Sequence, residues 1–164
     1  MKPKILVFDE TQSITRGTCR RIALGIAPFC KYIDAFDINP YLIKIAKCAA
    51  NFLKISNTNF WAGIFEDYNV NNTYDVVLSF ANHSTYDHNT QQSIDDYFKK
   101  CARYVNADGL LLFESRLPSY EKPEQLIAVL EVLQRYFKIQ TQYKLTQGTH
   151  ADQGRTFAVC TKLP

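Results

Sequence analysis

Tyr74-Asp75-Val76-Val77-Leu78-Ser79-Phe80 is the clearest strand in the chain: apolar, β-branched and aromatic residues run together, and a polar loop follows directly. Upstream, the short continuous apolar run Ile5-Leu6-Val7-Phe8 suits a strand buried on both faces, as in a parallel sheet covered by helices. It ends in Asp9-Glu10, Tyr32-Ile33-Asp34-Ala35-Phe36 ends in Asp37, and Asn59-Phe60-Trp61-Ala62 leads into Gly63 and a loop through Asn72. Each reads as a further strand. Between the first two, Thr18 to Phe29 carries Ile22, Ala23, Ile26 and Ala27 at helical spacing, and Pro28 limits that helix. Asn39-Pro40 starts the next helix, since Asn caps and Pro fits the first helical position. Its expected buried stripe is Leu42, Ile43, Ala46, Ala49, Phe52 and Leu53.

Downstream of Phe80, Ser93 to Asn106 reads as a helix with Ile94, Tyr97, Phe98, Cys101 and Val105 on one side. Asp108-Gly109 turns the chain into a fifth strand, Gly109 to Phe113, which ends at Glu114. Pro123 opens a helix with Leu126, Val129, Leu130 and Leu133 facing inward, and Ile139 to Leu145 and Thr156 to Leu163 form a terminal hairpin. Alternating strands and helices imply parallel strands joined by right-handed crossovers, with helices on both faces. The expected fold class is α/β: a doubly wound, mostly parallel seven-stranded sheet with a C-terminal antiparallel hairpin, one domain spanning residues 1–164.

Composition agrees with one folded domain. The 164 residues are 46% hydrophobic and 21% charged, which is globular rather than disordered. No apolar run is long enough to span a bilayer, and Met1-Lys2-Pro3-Lys4 leads into a strand without a cleavage site, so no membrane contact and no signal peptide are expected. The net charge of +3 is too weak to imply nucleic acid, and Arg16, Arg20 and Arg21 read as a solvated helix face. Cys19, Cys30, Cys48, Cys101 and Cys160 are odd in number and lack paired spacing, so free thiols in a reducing, cytoplasmic setting are expected. His83, His88 and His150 are not spaced with cysteines as metal ligands, and no metal is expected.

In a doubly wound sheet the ligand lies beyond the carboxyl ends of the strands, near the switch in strand order. Asp37, at the end of strand two, is placed to accept hydrogen bonds from the two ribose hydroxyls of an adenosine, a role the fold favours over the alternative of merely preceding the next helix and favouring its positive end. The loop after strand one, Asp9 to Gly17, holds one glycine, with Thr11, Ser13 and Thr15 at alternate positions. Ser79 to Asn89 gathers varied polar groups in one loop, and His83 there is the candidate general base.

Phe36-Asp37-Ile38-Asn39-Pro40, Tyr74 to Phe80, and Asn106-Ala107-Asp108-Gly109-Leu110-Leu111-Leu112-Phe113-Glu114, in this order, resemble three landmarks of class I S-adenosylmethionine-dependent methyltransferases. They are similar to the acidic end of strand two, the strand-four motif, and the "LKPGG" turn with its following strand. The resemblance runs from Lys4 to the end. It implies S-adenosylmethionine as cofactor, bound by Asp9, Thr11, Ser13, Gly17, Asp37, Ile38, Phe65, Glu66, Ser79, Phe80 and Ala81, with His83 catalytic. It also implies in-line attack of an acceptor O, N or C on the sulfonium methyl group.

The chain departs from that family in three places. The glycine-rich DxGxGxG loop reads Asp9-Glu10-Thr11-Gln12-Ser13-Ile14-Thr15, and the acidic residue expected after strand three is Ile64, with Glu66 and Asp67 close by. The helices that precede strand one in the family have no counterpart, which implies an acceptor face that is open or covered by another chain or domain. Three readings stand: a methyltransferase acting on a small molecule or an exposed group, an inactive methyltransferase-like binding or scaffold subunit favoured by the lost glycines, and an unrelated nucleotide-binding domain, which the terminal hairpin disfavours.

Overall fold

The computed structural model describes residues 1–9, 18–83, 92–116, 118, 120–146 and 154–164, with side chains described for all of these except 8, 9 and 18–20. The strands are β1 (Lys4–Asp9), β2 (Tyr32–Asp37), β3 (Thr58–Ala62), β4 (Tyr74–Phe80), β5 (Val105–Glu114), β6 (Phe137–Lys144) and β7 (Thr156–Lys162). The helices are α1 (Thr18–Ile26), α2 (Pro40–Phe52), α3 (Ile94–Tyr104) and α4 (Pro123–Leu133), and a single 3-10 turn, Ala27–Phe29, follows α1 where Pro28 ends it.

The seven strands form one sheet in the order β3-β2-β1-β4-β5-β7-β6. β1 to β5 pair in parallel, and β7 inserts antiparallel to both β5 and β6. The doubly wound sheet with its terminal hairpin is therefore as expected. Strand order reverses beside β1, which lies between β2 and β4.

Because side chains alternate along a strand, β1 to β5 feed two cores, one on each face of the sheet, while β6 and β7 feed one of them. Ile5, Val7, Ile33, Ala35, Phe60 and Leu78 pack on one face with Ala23 of α1 and Ile43, Ala46 and Ala50 of α2. Leu6, Phe36, Val77, Leu111, Phe113 and Cys160 pack on the other with Tyr97, Phe98, Cys101 and Tyr104 of α3 and Leu133 of α4. Phe36, Phe65, Phe98, Phe113 and Phe137 are all fully buried. Burying such a ring stabilises by roughly 1.5–3 kcal/mol relative to exposure, so the α3–α4 face carries much of the fold's apolar stabilisation.

The helix starts follow local chemistry. The Asn39 side chain accepts a hydrogen bond from the Tyr41 backbone N–H at 2.9 Å, with Pro40 next. Ser93 Oγ accepts from the Asp96 N–H at 3.1 Å and donates to Asp96 Oδ2 at 2.6 Å, while Asp95 and Asp96 favour the helix's positive end.

Two expectations are corrected. Phe52 is 87% exposed and Leu53, just past α2, 54% exposed, so neither belongs to that helix's buried stripe. Phe52 is nine positions from Ile43, and at about 100° per residue this places it on the opposite face. α3 ends at Tyr104 rather than Asn106, and Val105 already pairs with Tyr74. Residues 106–109, including the expected Asp108-Gly109 turn, bulge out of β5 before Leu110 pairs with Val76. Gly109 fits that bulge because a Cβ there would come within 3.0 Å of the Asp75 carbonyl oxygen and 2.9 Å of Val105 Cγ1.

Candidate functional site

The carboxyl ends of the central strands are level. Asp9 pairs with Asp37, Asp37 with Ala62, Phe8 with Ser79, and Phe80 with Glu114. The crevice of a doubly wound sheet falls at this edge, where β1 separates β2 from β4. Asp9, Asp37, Ser79, Phe80 and Ala81 are thus on neighbouring strand ends or the residue just beyond. Thr11, Ser13, Thr15 and Gly17 lie outside the described residues, as does the Asp9 side chain.

Asp37 is 1% exposed. Its Oδ1 accepts the Asn39 backbone N–H at 2.8 Å, and its own carbonyl accepts the Gly63 N–H at 3.1 Å. The carboxylate therefore stands at the positive end of α2 as well as at the strand-end crevice. Ile38, which follows it, is half-buried. A Cβ at Gly63 would come within 2.0 Å of the Trp61 ring, so the chain leaves β3 with that indole packed over it.

The remaining residues of the expected cofactor set divide. The Phe65 side chain is core: its ring lies 6.0 Å from Phe36 and 5.2 Å from Tyr97, with the Lys100 ammonium 5.1 Å from its centroid. Glu66 Oε1 accepts the Gln92 backbone N–H at 3.0 Å, and its carbonyl accepts Lys100 Nζ at 2.5 Å. Burial, and after it the nearby Arg103 charge, lower the Lys100 pKa. Ser79 is fully buried with its hydroxyl 2.7 Å from that of Tyr97, so it braces α3 against the sheet. Phe80 faces the other way, half-buried, 6.0 Å from the Phe157 ring. Ala81 has φ of 58°, a left-handed conformation that a Cβ disfavours. It is held there by its N–H bond to the Glu114 carbonyl at 2.9 Å. Strain of this kind concentrates where a chain is shaped around a site.

His83 is 4% exposed and packs 5.1 Å from the Phe113 ring. Its Nε2 lies 2.6 Å from Glu121 Oε1, and Glu121 Oε2 accepts the Arg116 backbone N–H at 3.0 Å. Among the described residues its buried Nδ1 has no partner. With Nε2 donating to the carboxylate, the ring is best placed as the tautomer whose Nδ1 carries a lone pair, because an N–H there would be buried with no acceptor. Sequence reasoning missed Glu121; its one signal is an acidic residue just ahead of Pro123, between β5 and α4. It also missed Arg155, whose Nη1 donates to Glu114 Oε1 at 2.5 Å and ties β7 to the end of β5. Among the described residues no three His, Cys, Asp or Glu side chains gather as a metal site.

No protein-family model matches the chain, and no curated protein matches it in sequence. Solved structures do match. The N-methyltransferase NodS from Bradyrhizobium japonicum WM9 superposes with a TM-score of 0.75 at 16% identity, over 98% of this chain and 85% of that one. A TehB-like SAM-dependent methyltransferase from Corynebacterium glutamicum gives 0.66 at 16% identity, over 99% and 81%. The cyclase SpnF gives 0.70 at 14% identity, over 99% and 74%. At these identities the likeness is one of fold. The chain has the class I methyltransferase fold, which also carries a cyclase.

Proposed function

We propose that the chain binds S-adenosylmethionine across the ends of β1, β2 and β4 and transfers its methyl group to an acceptor, a small molecule or an exposed group. The observation that carries this is Asp37: a carboxylate at the end of β2, beside the reversal in strand order, on a fold whose solved examples include NodS in complex with S-adenosyl-L-homocysteine. The residues present fit such a group. Asp37 accepts from the ribose hydroxyls, the backbone around Ile38 and Gly63 borders the adenine, and Glu66 serves where the family's acidic residue is Ile64 here. When bound, the cofactor supplies an electrophilic methyl group on a sulfonium sulfur.

The chain's own contribution is position and one proton. Holding acceptor and methyl donor in line replaces a bimolecular encounter and supplies much of the acceleration. His83 Nδ1 takes the acceptor's proton, and Glu121 holds the ring in the tautomer that can do so. An acceptor O–H or N–H is the donor that the unpartnered Nδ1 lacks.

A specific observation favours a second reading, an inactive binding or scaffold subunit: Thr11, Ser13 and Thr15 stand where glycines let a backbone approach the cofactor. Incubation with methyl-labelled S-adenosylmethionine and a panel of small amines, thiols and hydroxy compounds separates the two. Formation of S-adenosylhomocysteine that depends on an acceptor supports transfer, and cofactor binding without turnover on any acceptor supports the scaffold.

A further inference from the structure

The links between β1 and β2, β2 and β3, and β4 and β5 each carry a helix, whereas residues 63–73 cross from β3 to β4 without one. One face of β2 and β3 is therefore covered by a loop, and a groove of about 370 Å³ remains beneath it. That volume lies at the lower end of small-ligand sites. Asp34, 3% exposed, forms part of its lining. Asp34 Oδ1 accepts from the Tyr32 hydroxyl at 3.0 Å and from Asn59 Nδ2 at 2.8 Å, and Oδ2 accepts from the Tyr74 hydroxyl at 2.6 Å.

These three donors are all neutral. Among the described residues no Lys, Arg or His lines the groove, and a second carboxylate, the exposed Asp67, does. Neutral donors satisfy a carboxylate's lone pairs but leave its charge without a counter-charge, which is costly for a buried group. Burial first, and then the neighbouring Asp34, raise the pKa of Tyr32 and Tyr74. Tyr32 and Trp61 bring aromatic rings to the same groove. Aromatic rings attract cations.

We propose that this groove binds a small organic cation, its alkylammonium or alkylguanidinium head set against Asp34 and Asp67 with Tyr32 and Trp61 alongside. The site is separate from the strand-end crevice. Asp34 and Asp37 are three positions apart in β2, so they lie about 10 Å apart along the strand and on opposite faces of the sheet. The same head group occurs on free amines and on Lys or Arg side chains of a peptide.

Trp61 is the only tryptophan, so its fluorescence reports on the groove. The intact chain is titrated with n-butylammonium, n-butylguanidinium, the blocked peptide Gly-Lys-Gly, and neutral 1-pentanol. A saturable change with the cations and none with pentanol is expected. Response to the peptide but not to the free amines identifies a protein side chain as the source, and the reverse identifies a free amine. Asp67→Asn should raise Kd roughly tenfold, the loss of one charge-assisted contact. Asp34→Asn should abolish binding, and Tyr32→Phe, which keeps the carboxylate and removes a competing donor, should retain or tighten it. An equal response to pentanol, no saturable response to any cation, or an unchanged Kd in Asp67→Asn would overturn the proposal, and each of these tests stands even where Asp34→Asn does not fold.

Discussion

His83 and Glu121 meet at 2.6 Å although 38 residues separate them, one just beyond the end of β4 and the other beyond the end of β5. Both are buried, so this one contact ties together the two loops that border the carboxyl end of the sheet. Glu121→Ala leaves the His83 Nε2–H and the Arg116 backbone N–H without their acceptor. Stability should fall by roughly 1–3 kcal/mol for a buried donor left unpaired, read from urea unfolding. If the pair also serves proton transfer, kcat falls while affinity for S-adenosylmethionine holds. A variant with parental stability and parental kcat would show the contact to be incidental.

Asp37→Ala should weaken S-adenosylmethionine binding by roughly 1.5–3 kcal/mol, the usual range for hydrogen bonds to a charged group. Asp37→Asn is the companion variant, because its amide oxygen still accepts the Asn39 N–H that the carboxylate holds at 2.8 Å. Calorimetry on both separates a ribose contact from a disturbed start of α2. Affinity unchanged in both would remove Asp37 from the site.

The fold was legible because its strands are short apolar runs and its helices are spaced apolar sets, and in a doubly wound sheet that alternation leaves few topologies. Spacing does not say which stripe faces inward when a helix carries two. Tyr41, Ile45 and Phe52 on α2 are exposed, while Ile43, Ala46 and Ala50 are buried. Asp34 and Glu121 escaped the sequence for another reason. Their partners Tyr74 and His83 are 40 and 38 residues away, so only the sheet and its loops bring them together. An acid alternating with Tyr32 and Phe36 on one face of a buried strand was the available sign of Asp34.

The loop after β1 gives a prediction that rests on sequence, since its residues lie outside those described. Thr11→Gly, Ser13→Gly and Thr15→Gly together remove three Cβ groups from the path of the cofactor. The triple variant should lose roughly 0.5–1 kcal/mol of stability per glycine yet bind S-adenosylmethionine more tightly than the parent. Weaker binding than a tightly binding parent would make the three hydroxyls ligands and remove the main support for a scaffold subunit.

Cys160 is fully buried, and burial pushes its thiol up from 9.0 to about 12. The sign follows from the thiolate being favoured in the unfolded chain: this contribution is fully present below about pH 9 and is lost as pH rises toward 12. Unfolding free energy should therefore decline across that window, and less steeply in Cys160→Ala. Below it, an alkylating reagent should modify exposed Cys48 and spare buried Cys30, Cys101 and Cys160 until the chain unfolds. Equal slopes in the two proteins would contradict the assignment.

Calorimetric titration of the intact chain with S-adenosylmethionine, and in parallel with S-adenosylhomocysteine and with nicotinamide and flavin nucleotides, bears most directly on the strand-end site. Saturable binding of the two adenosyl ligands at one site per chain, weakened in Asp37→Ala, is the predicted result. Binding of neither adenosyl ligand, or preferential binding of a nicotinamide or flavin nucleotide, would contradict it.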